Sequence, residues 1–228
     1  LTGCFDLADW FVENGDHGYA PGVSLVGSFM NPGERFSFEL QLTDSTSYVI
    51  IAAGDEDAND VDLRIMDNKG RVITEDTSTD PDAIIEFRSG RGGTHTVEVE
   101  LYSADNDSFV SFVVLSEHGG YVPLSDLDLA ATRMLDIWRV GSDLADEERG
   151  VLNFNRNENQ PCLYGALLDG QELVAVTGLN FGQGEMLAVA SGDSDATDID
   201  LVLYDENTRE LEADRNYDRD AVVSHRTS

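Results

Sequence analysis

Residues 54–63 read Gly-Asp-Glu-Asp-Ala-Asn-Asp-Val-Asp-Leu, and residues 192–201 read Gly-Asp-Ser-Asp-Ala-Thr-Asp-Ile-Asp-Leu. The offset, 192 − 54 = 138, holds without a gap well beyond this segment. Leu25, Gly27 and Glu34 fall on Leu163, Gly165 and Glu172. Downstream, Asp67, Arg71, Asp76, Asp80, Asp82 and Ala83 fall on Asp205, Arg209, Asp214, Asp218, Asp220 and Ala221. Chance does not keep so many positions in one register, so the chain reads as two copies of one unit. Residues 25–86 and 163–224 should then adopt the same strand order.

Each copy carries the period of a sheet. Phe36, Phe38 and Leu40 alternate with polar residues, as do Val61, Leu63 and Ile65, which is the pattern of half-buried strands. Tyr48–Ala53 is a continuous apolar run and reads as a central strand. Asp67-Asn68-Lys69-Gly70 supplies a turn before Val72-Ile73. Ile84–Phe87, Val97 to Leu101 and Phe109–Leu115 follow, with turn signals at Asn31-Pro32-Gly33 and Gly90–Gly93. About seven or eight short strands is the number of a sandwich or jelly roll. The second copy shows matching strands at Leu173–Val176, Met186–Ala190, Ile199–Tyr204 and Ala221–Ser224. It stops before the counterparts of the last two strands, so a truncated second sandwich is expected.

One helix stands between the copies. Leu127, Ala130, Ala131, Met134, Leu135 and Trp138 form a single apolar stripe, and Ser125 with Asp128 caps its start. The stripe either packs on its own sandwich or docks a partner. Leu7 to Val12 is a weaker counterpart, with Trp10 standing where Trp138 stands. That alignment needs a different offset, which places an insertion near Gly141–Asn159. The expected division is a first sandwich over 1–118, whose segment 1–24 is a short helix and loop. A helix and connecting segment over 119–162 and a second sandwich over 163–228 follow.

Charge excludes several partners. Forty-five acidic residues against fourteen basic ones give a net −31, a field that repels nucleic acid and anionic lipid headgroups. No apolar stretch approaches the length of a membrane span. His17, His95, His118 and His225 form no zinc-type pair. A nucleophile elbow, a phosphate-cradling loop and a GxGxxG fingerprint are all missing. The many carboxylates leave acid–base hydrolase chemistry open, but no pair stands in an apolar setting that would raise one pKa.

Cys4 and Cys162 fit no metal spacing and read either as a disulfide or as two buried thiols. The chain opens at Leu1 without Met, as a processed or trimmed chain would. Leu1-Thr2-Gly3-Cys4 also matches the box that precedes lipid attachment in bacterial lipoproteins, which would make Cys4 an anchor.

Asp55, Asp57, Asp60 and Asp62, repeated as Asp193, Asp195, Asp198 and Asp200, form the densest acidic cluster. Calcium takes six to eight oxygens from flexible loops of this kind. The other reading is a solvated acidic turn on a surface kept hydrated by charge. An EF-hand fits poorly, because Asp60 stands at its glycine and Met66 at its closing glutamate.

The pattern resembles the bacterial pre-peptidase C-terminal domain. Gly27-Ser28-Phe29, Phe36–Leu40, Tyr48–Ala53, the run Asp60 to Asp67, Gly70 and His95–Leu101 carry the resemblance. Gly165 to Leu167, Val174–Val176, Leu187–Ala190 and Asp198 to Asp205 carry it in the second copy, with Thr208 in place of the turn glycine. The resemblance implies an all-β chain of two tandem jelly-roll-like antiparallel sandwiches with a short helix between them. It also implies a non-catalytic binding or spacer module of secreted, periplasmic or surface proteins, whose partner is a protein or polysaccharide. In related collagen-binding modules acidic residues near this motif bind calcium, which would put calcium at Asp60, Asp62, Asp198 and Asp200. The rival expectations are an acidic hydrolase and a structural fragment of a larger surface protein.

Overall fold

The computed structural model describes residues 2–147, 154 and 160–227. The chain is mostly β with two helices, and every strand pairing is antiparallel. It divides into two compact units, Leu1–Val122 with Phe154–Leu179, and Pro123–Asn153 with Asn180–Ser228.

The first unit contains α1 (Thr2–Asn14), β1 (Gly18–Tyr19), β2 (Gly22–Met30), β3 (Arg35–Leu42), β4 (Ser47–Ala53), β5 (Ala58–Met66), β6 (Val72–Asp76), β7 (Asp82–Arg88), β8 (Gly93–Ala104), β9 (Ser108–Ser116) and β10 (Leu163–Leu167). One sheet runs β10-β2-β9-β4-β7, with β1 also on β9; the other runs β3-β8-β5-β6. A single apolar cluster draws on both sheets: Val26, Ile50, Val110 and Phe112 from the first, Phe36, Leu63, Val97 and Leu101 from the second. This is a β-sandwich, with the Phe36 and Phe112 rings stacked 5.9 Å apart across it.

Periodicity explains which strands read how. In β3, Phe36, Leu40 and Leu42 are buried while Ser37, Glu39 and Gln41 face outward. In β4, Tyr48, Ile50 and Ala52 join the core, and Val49 and Ile51 are buried on the opposite face. That opposite face is covered by α1, whose Cys4 thiol lies against the Ser111 and Ile51 carbonyls. An apolar run without alternation is therefore a strand covered on both sides. Cys4, Phe5 and Ala8 are the buried stripe of α1.

The second unit contains α2 (Leu124–Glu147), β11 (Gly184–Ser191), β12 (Leu201–Tyr204), β13 (Glu210–Asp214) and β14 (Asp220–Thr227). Its strands make two pairs, β11 with β14 and β12 with β13. Helix α2 packs on β11, and Arg133 donates from its guanidinium to the Gly192 carbonyl at 3.1 Å.

Positions 138 residues apart share geometry. Ser47 opposite Arg88 and Ala53 opposite Asp82 return as Glu185 opposite Arg226 and Ser191 opposite Asp220. Leu63 opposite Asp76 returns as Leu201 opposite Asp214, and the register shift after Ile65 returns after Leu203. Gly54 and Gly192 both sit where an added Cβ would collide with an alanine Cβ, that of Ala58 and that of Ala196.

Several expectations need correcting. The helix between the copies is not short but 24 residues long. Residues 173–176 are not a strand, and Leu173 is 85% exposed. The counterpart segment, β3, is held by β8; among the described residues no strand stands beside 173–176, so its backbone has no ladder to join. Leu163–Leu167 pairs with β2 of the first unit, Leu163 lying opposite Gly27. The β12 strand begins at Leu201 rather than at Ile199, and β1, β13 and most of β2 were not anticipated. Of the expected insertion over 141–159, residues 148–153 and 155–159 lie outside the described residues.

The turn before β13 carries a testable strain. Gly70 has φ 72°, and its counterpart Thr208 has φ 60°, a left-handed conformation that a β-branched residue adopts at a cost. Thr208→Gly should stabilise the second unit by about 1 kcal/mol. Thermal or urea unfolding of the two proteins measures this, and an unchanged or lower midpoint would contradict it.

Candidate functional site

The recurring aspartates are mostly turn-builders. Asp55 joins β4 to β5, where its carboxylate accepts from the Asp57 N–H at 3.2 Å and the Phe109 N–H at 2.7 Å. Asp193 accepts from the N–H groups of Asp195 and Ala196 at 3.0 and 3.1 Å. Asp67 accepts from the Lys69 and Arg71 N–H groups and pairs with the Arg71 guanidinium, and Asp205 repeats this with Asn207 and Arg209. Asp76 accepts from Ser78 and from the Ile84 N–H at 2.9 Å, and Asp214 accepts from Asn216 and the Val222 N–H at 3.0 Å. Each of these side chains satisfies backbone donors that a tight turn leaves unpaired.

Such bonds favour the ionised form. The Arg71 side chain and the neighbouring N–H groups hold Asp67 down at about 2. Burial works to raise Asp76, but the Ile84 and Ser78 donors outweigh it and keep the carboxyl below its usual range. The Arg209 N–H lowers Asp205, and the Val222 N–H lowers Asp214.

Asp60 and Asp62 belong to a different group. They lie on β5 with Arg64, and alternation sends all three side chains to the sheet face opposite Val61, Leu63 and Ile65. There the Arg64 guanidinium contacts Asp62 at 3.0 Å, Glu75 at 3.1 Å and Glu100 at 2.8 Å, while Arg35 reaches Glu100 at 3.0 Å. Asp62 is raised by burial, which the Arg64 charge opposes only in part. Asp60 is only 6% exposed, and its Oδ1 has no hydrogen-bond partner. Burial, then the charges of Asp80 and Glu100, raise its pKa. Sequence reasoning named Asp60 and Asp62 but missed Arg64, Glu100 and Asp80. Arg64 was readable, because it shares the parity of the two aspartates.

The eight predicted residues are therefore not brought together as one kind of site. Asp55 and Asp57 line an acidic cleft of about 760 Å³ with Asp6, Glu56 and Asp82, and neither Asp60 nor Asp62 lines it. Asp195, Asp198 and Asp200 are exposed. Among the described residues no three His, Cys, Asp or Glu side chains are grouped so as to hold a metal ion.

The disulfide alternative is not formed. Cys4 is a free thiol and makes no bond to Cys162. Cys4 is fully buried, its Sγ lies 3.1 Å from the Ser111 carbonyl, and burial pushes the thiol up to about 11. The Cys162 N–H bonds the Gly27 carbonyl on the far side of β2 from β9.

No family model matches the chain, and no curated protein matches it. Solved structures with a distant β-sandwich likeness do exist. The pre-peptidase C-terminal domain of a Bacillus anthracis collagenase matches with a TM-score of 0.36 and 8% identity, over 42% of this chain and 92% of that one. The periplasmic inhibitor of g-type lysozyme from Aeromonas hydrophila, PliG, matches at 0.30 and 6%, over 42% and 88%. The CBM36-1 domain of a multidomain xylanase from the hindgut metagenome of Trinervitermes trinervoides matches at 0.24 and 16%, over 42% and 78%.

Two measurements follow from this chemistry. Asp60 and Asp62 have raised folded-state values, so their contribution is fully present below the unfolded value of 3.8 and is lost as pH rises through the folded values. Asp67, Asp76, Asp205 and Asp214 are lowered, so theirs is present above that value and lost as pH falls through the folded ones. Asp60→Asn should thus raise the melting temperature at pH 7 by a few degrees and flatten the gain on mild acidification. Asp76→Ala should cost about 1–2 kcal/mol at pH 7 by stranding the Ile84 N–H. Melting curves from pH 3 to 8 test both, and a destabilised Asp60→Asn at pH 7 would refute the first. Thiol labelling with a disulfide reagent should modify Cys4 only after unfolding; rapid native labelling of both cysteines would contradict its burial.

Proposed function

We propose that the chain is a non-catalytic binding module acting outside the cytoplasm, built from two copies of a jelly-roll-like unit, with a polysaccharide or another protein as its partner. The observation that carries this reading is the employment of its carboxylates. Asp55, Asp67, Asp76 and their counterparts are tied to backbone donors, and Asp62 and Glu100 to Arg64. Acidity on this scale then serves turn geometry and hydration rather than a reaction. The shared hairpin registers at positions 138 residues apart support the two-copy reading. Asp60 and Asp62 are the described carboxyls raised in the direction a general acid needs, but both lie on the charged face of β5 and neither lines the acidic cleft.

An extracytoplasmic role is compatible with the Cys4 thiol, because a buried thiol raised to about 11 has little thiolate to oxidise. Calcium acts on this module through screening of its net −31 charge, since the loop carboxylates are already engaged by N–H groups.

Co-sedimentation of the chain with insoluble cellulose, xylan and chitin, with reducing ends and released peptides assayed in parallel at pH 4–8, tests the function. The expected result is retention on at least one matrix, or capture of a protein partner, without product release. Hydrolysis abolished by Asp60→Asn would replace this reading with the acidic hydrolase. Melting with calcium and with magnesium at equal ionic strength should give equal shifts; a calcium-specific rise would restore the metal reading of Asp55 and Asp57.

A further inference from the structure

Helix α1 lies on the outer face of β4 and β9, and its last turns reach the end of the sheet where β7 is the edge strand. Under that overhang is a cleft of about 410 Å³, within the range of small-ligand sites. Trp10 and Asn14 line it from the helix, Glu86 and Arg88 from β7, and Glu117 from the residue after β9. The sheet fixes these side chains: Ser47 pairs with Arg88, Val49 with Glu86, and the Glu117 N–H bonds the Ser47 carbonyl at 3.0 Å.

Three features of this cleft point to a ligand. Trp10 is 59% exposed although it belongs to a helix with a buried stripe, and Phe11 meets its ring edge-on at 4.9 Å. The indole is thus propped at the cleft wall rather than packed in the core. His17 also lines the cleft, and its Nε2 has no hydrogen-bond partner in the protein. Finally, most of the polar groups are planar: the Asn14 amide, the Asp16, Glu86 and Glu117 carboxylates and the Arg88 guanidinium, which lies 3.4 Å from Glu117. Such groups can bond two adjacent hydroxyls at once, while an indole face covers the C–H side of a sugar ring.

We propose that this cleft binds one or two residues of a neutral polysaccharide, with Trp10 as the stacking platform and Glu86, Arg88 and Glu117 as hydroxyl partners. The charge pattern sets the ligand class. Glu86, Glu117 and the net −31 of the chain oppose a polyanion, and Arg88 in the same wall opposes a cation. The proposal rests on the binding-module reading and narrows its partner to one chemistry and one place.

The chain has only two tryptophans, so in a Trp138→Phe background the fluorescence reports Trp10 alone. Cellohexaose, xylohexaose, mannohexaose and galactohexaose are the probes, with polygalacturonate as the anionic control. At least one neutral probe should shift Trp10 emission saturably, and the control should not. By calorimetry on the full chain, Trp10→Ala and Glu86→Ala should each weaken that probe about tenfold or more, with unchanged far-ultraviolet dichroism. Glu86→Ala lies on the sheet and guards against a result caused by helix fraying. Full affinity in both variants would overturn this site while leaving the binding-module reading intact. No binding of any neutral probe, with a protein partner captured instead, would overturn the sugar but not the module. No retained partner of either kind would overturn both.

Discussion

The first unit depends on its two central strands, β8 and β9, one in each sheet and each paired with strands from far earlier in the chain. Strand β9 lies between β2 and β4 in one sheet, and β8 lies between β3 and β5 in the other. Without them each sheet would be split, and the core residues Val97, Val99, Leu101, Val110, Phe112 and Val114 would be missing from the apolar cluster. These two strands also supply Glu98 and Glu100 to Arg35 and Arg64, and the Ser111 carbonyl to Cys4. They thereby fix the core, the outer charge ladder and the seat of α1 together. A contact made so late along the chain closes large loops, so the sandwich forms as a whole or not at all.

Carrying 45 acidic residues in such a fold requires that many be held by local donors. Turn aspartates meet this requirement cheaply, because a tight turn already exposes N–H groups that need acceptors. Asp67 with Arg71 and Asp205 with Arg209 add a cation at the same turn. The exception is Asp60, which lies buried beside Asp80 and Glu100 with an unmatched oxygen. The fold tolerates it because β5 is pinned on both edges and cannot turn the side chain outward without losing Val61 and Leu63 from the core.

Local pattern revealed most of the first unit. Alternation at Phe36–Leu40 and Val61–Ile65, and the unbroken run at Tyr48–Ala53, each became a strand because burial on one or two faces leaves that trace in composition. The strand at 173–176 was misread for a reason no local pattern contains: Leu173 and Val174 have suitable side chains but no partner strand. The pairing of Leu163–Leu167 with β2 is equally non-local. Among the acidic residues, the spacing Asp60, Asp62, Arg64 was legible as one face, whereas Glu100 needed the register of β8 against β5 and Asp80 the bond from the Val61 N–H to its carbonyl.

The two Asp-rich segments, 54–63 and 192–201, show how far context overrides a motif. Asp60 and Asp62 are buried, whereas Asp198 and Asp200, in a segment with the same spacing, are exposed. The difference lies in β8, whose Glu100 stands opposite Asp62 and draws Arg35 and Arg64 over the face. Val202 stands 138 residues after Arg64, so the later segment lacks the cation around which such a ladder is organised. Shared turn hydrogen bonds therefore mark what the motif builds by itself, and the unshared burial marks what its neighbours impose. By the same logic a ligand site assembled from α1, β7 and the end of β9 need have no twin: Glu86 and Ser47 correspond to Ser224 and Glu185, so the polar wall of that cleft belongs to one copy only.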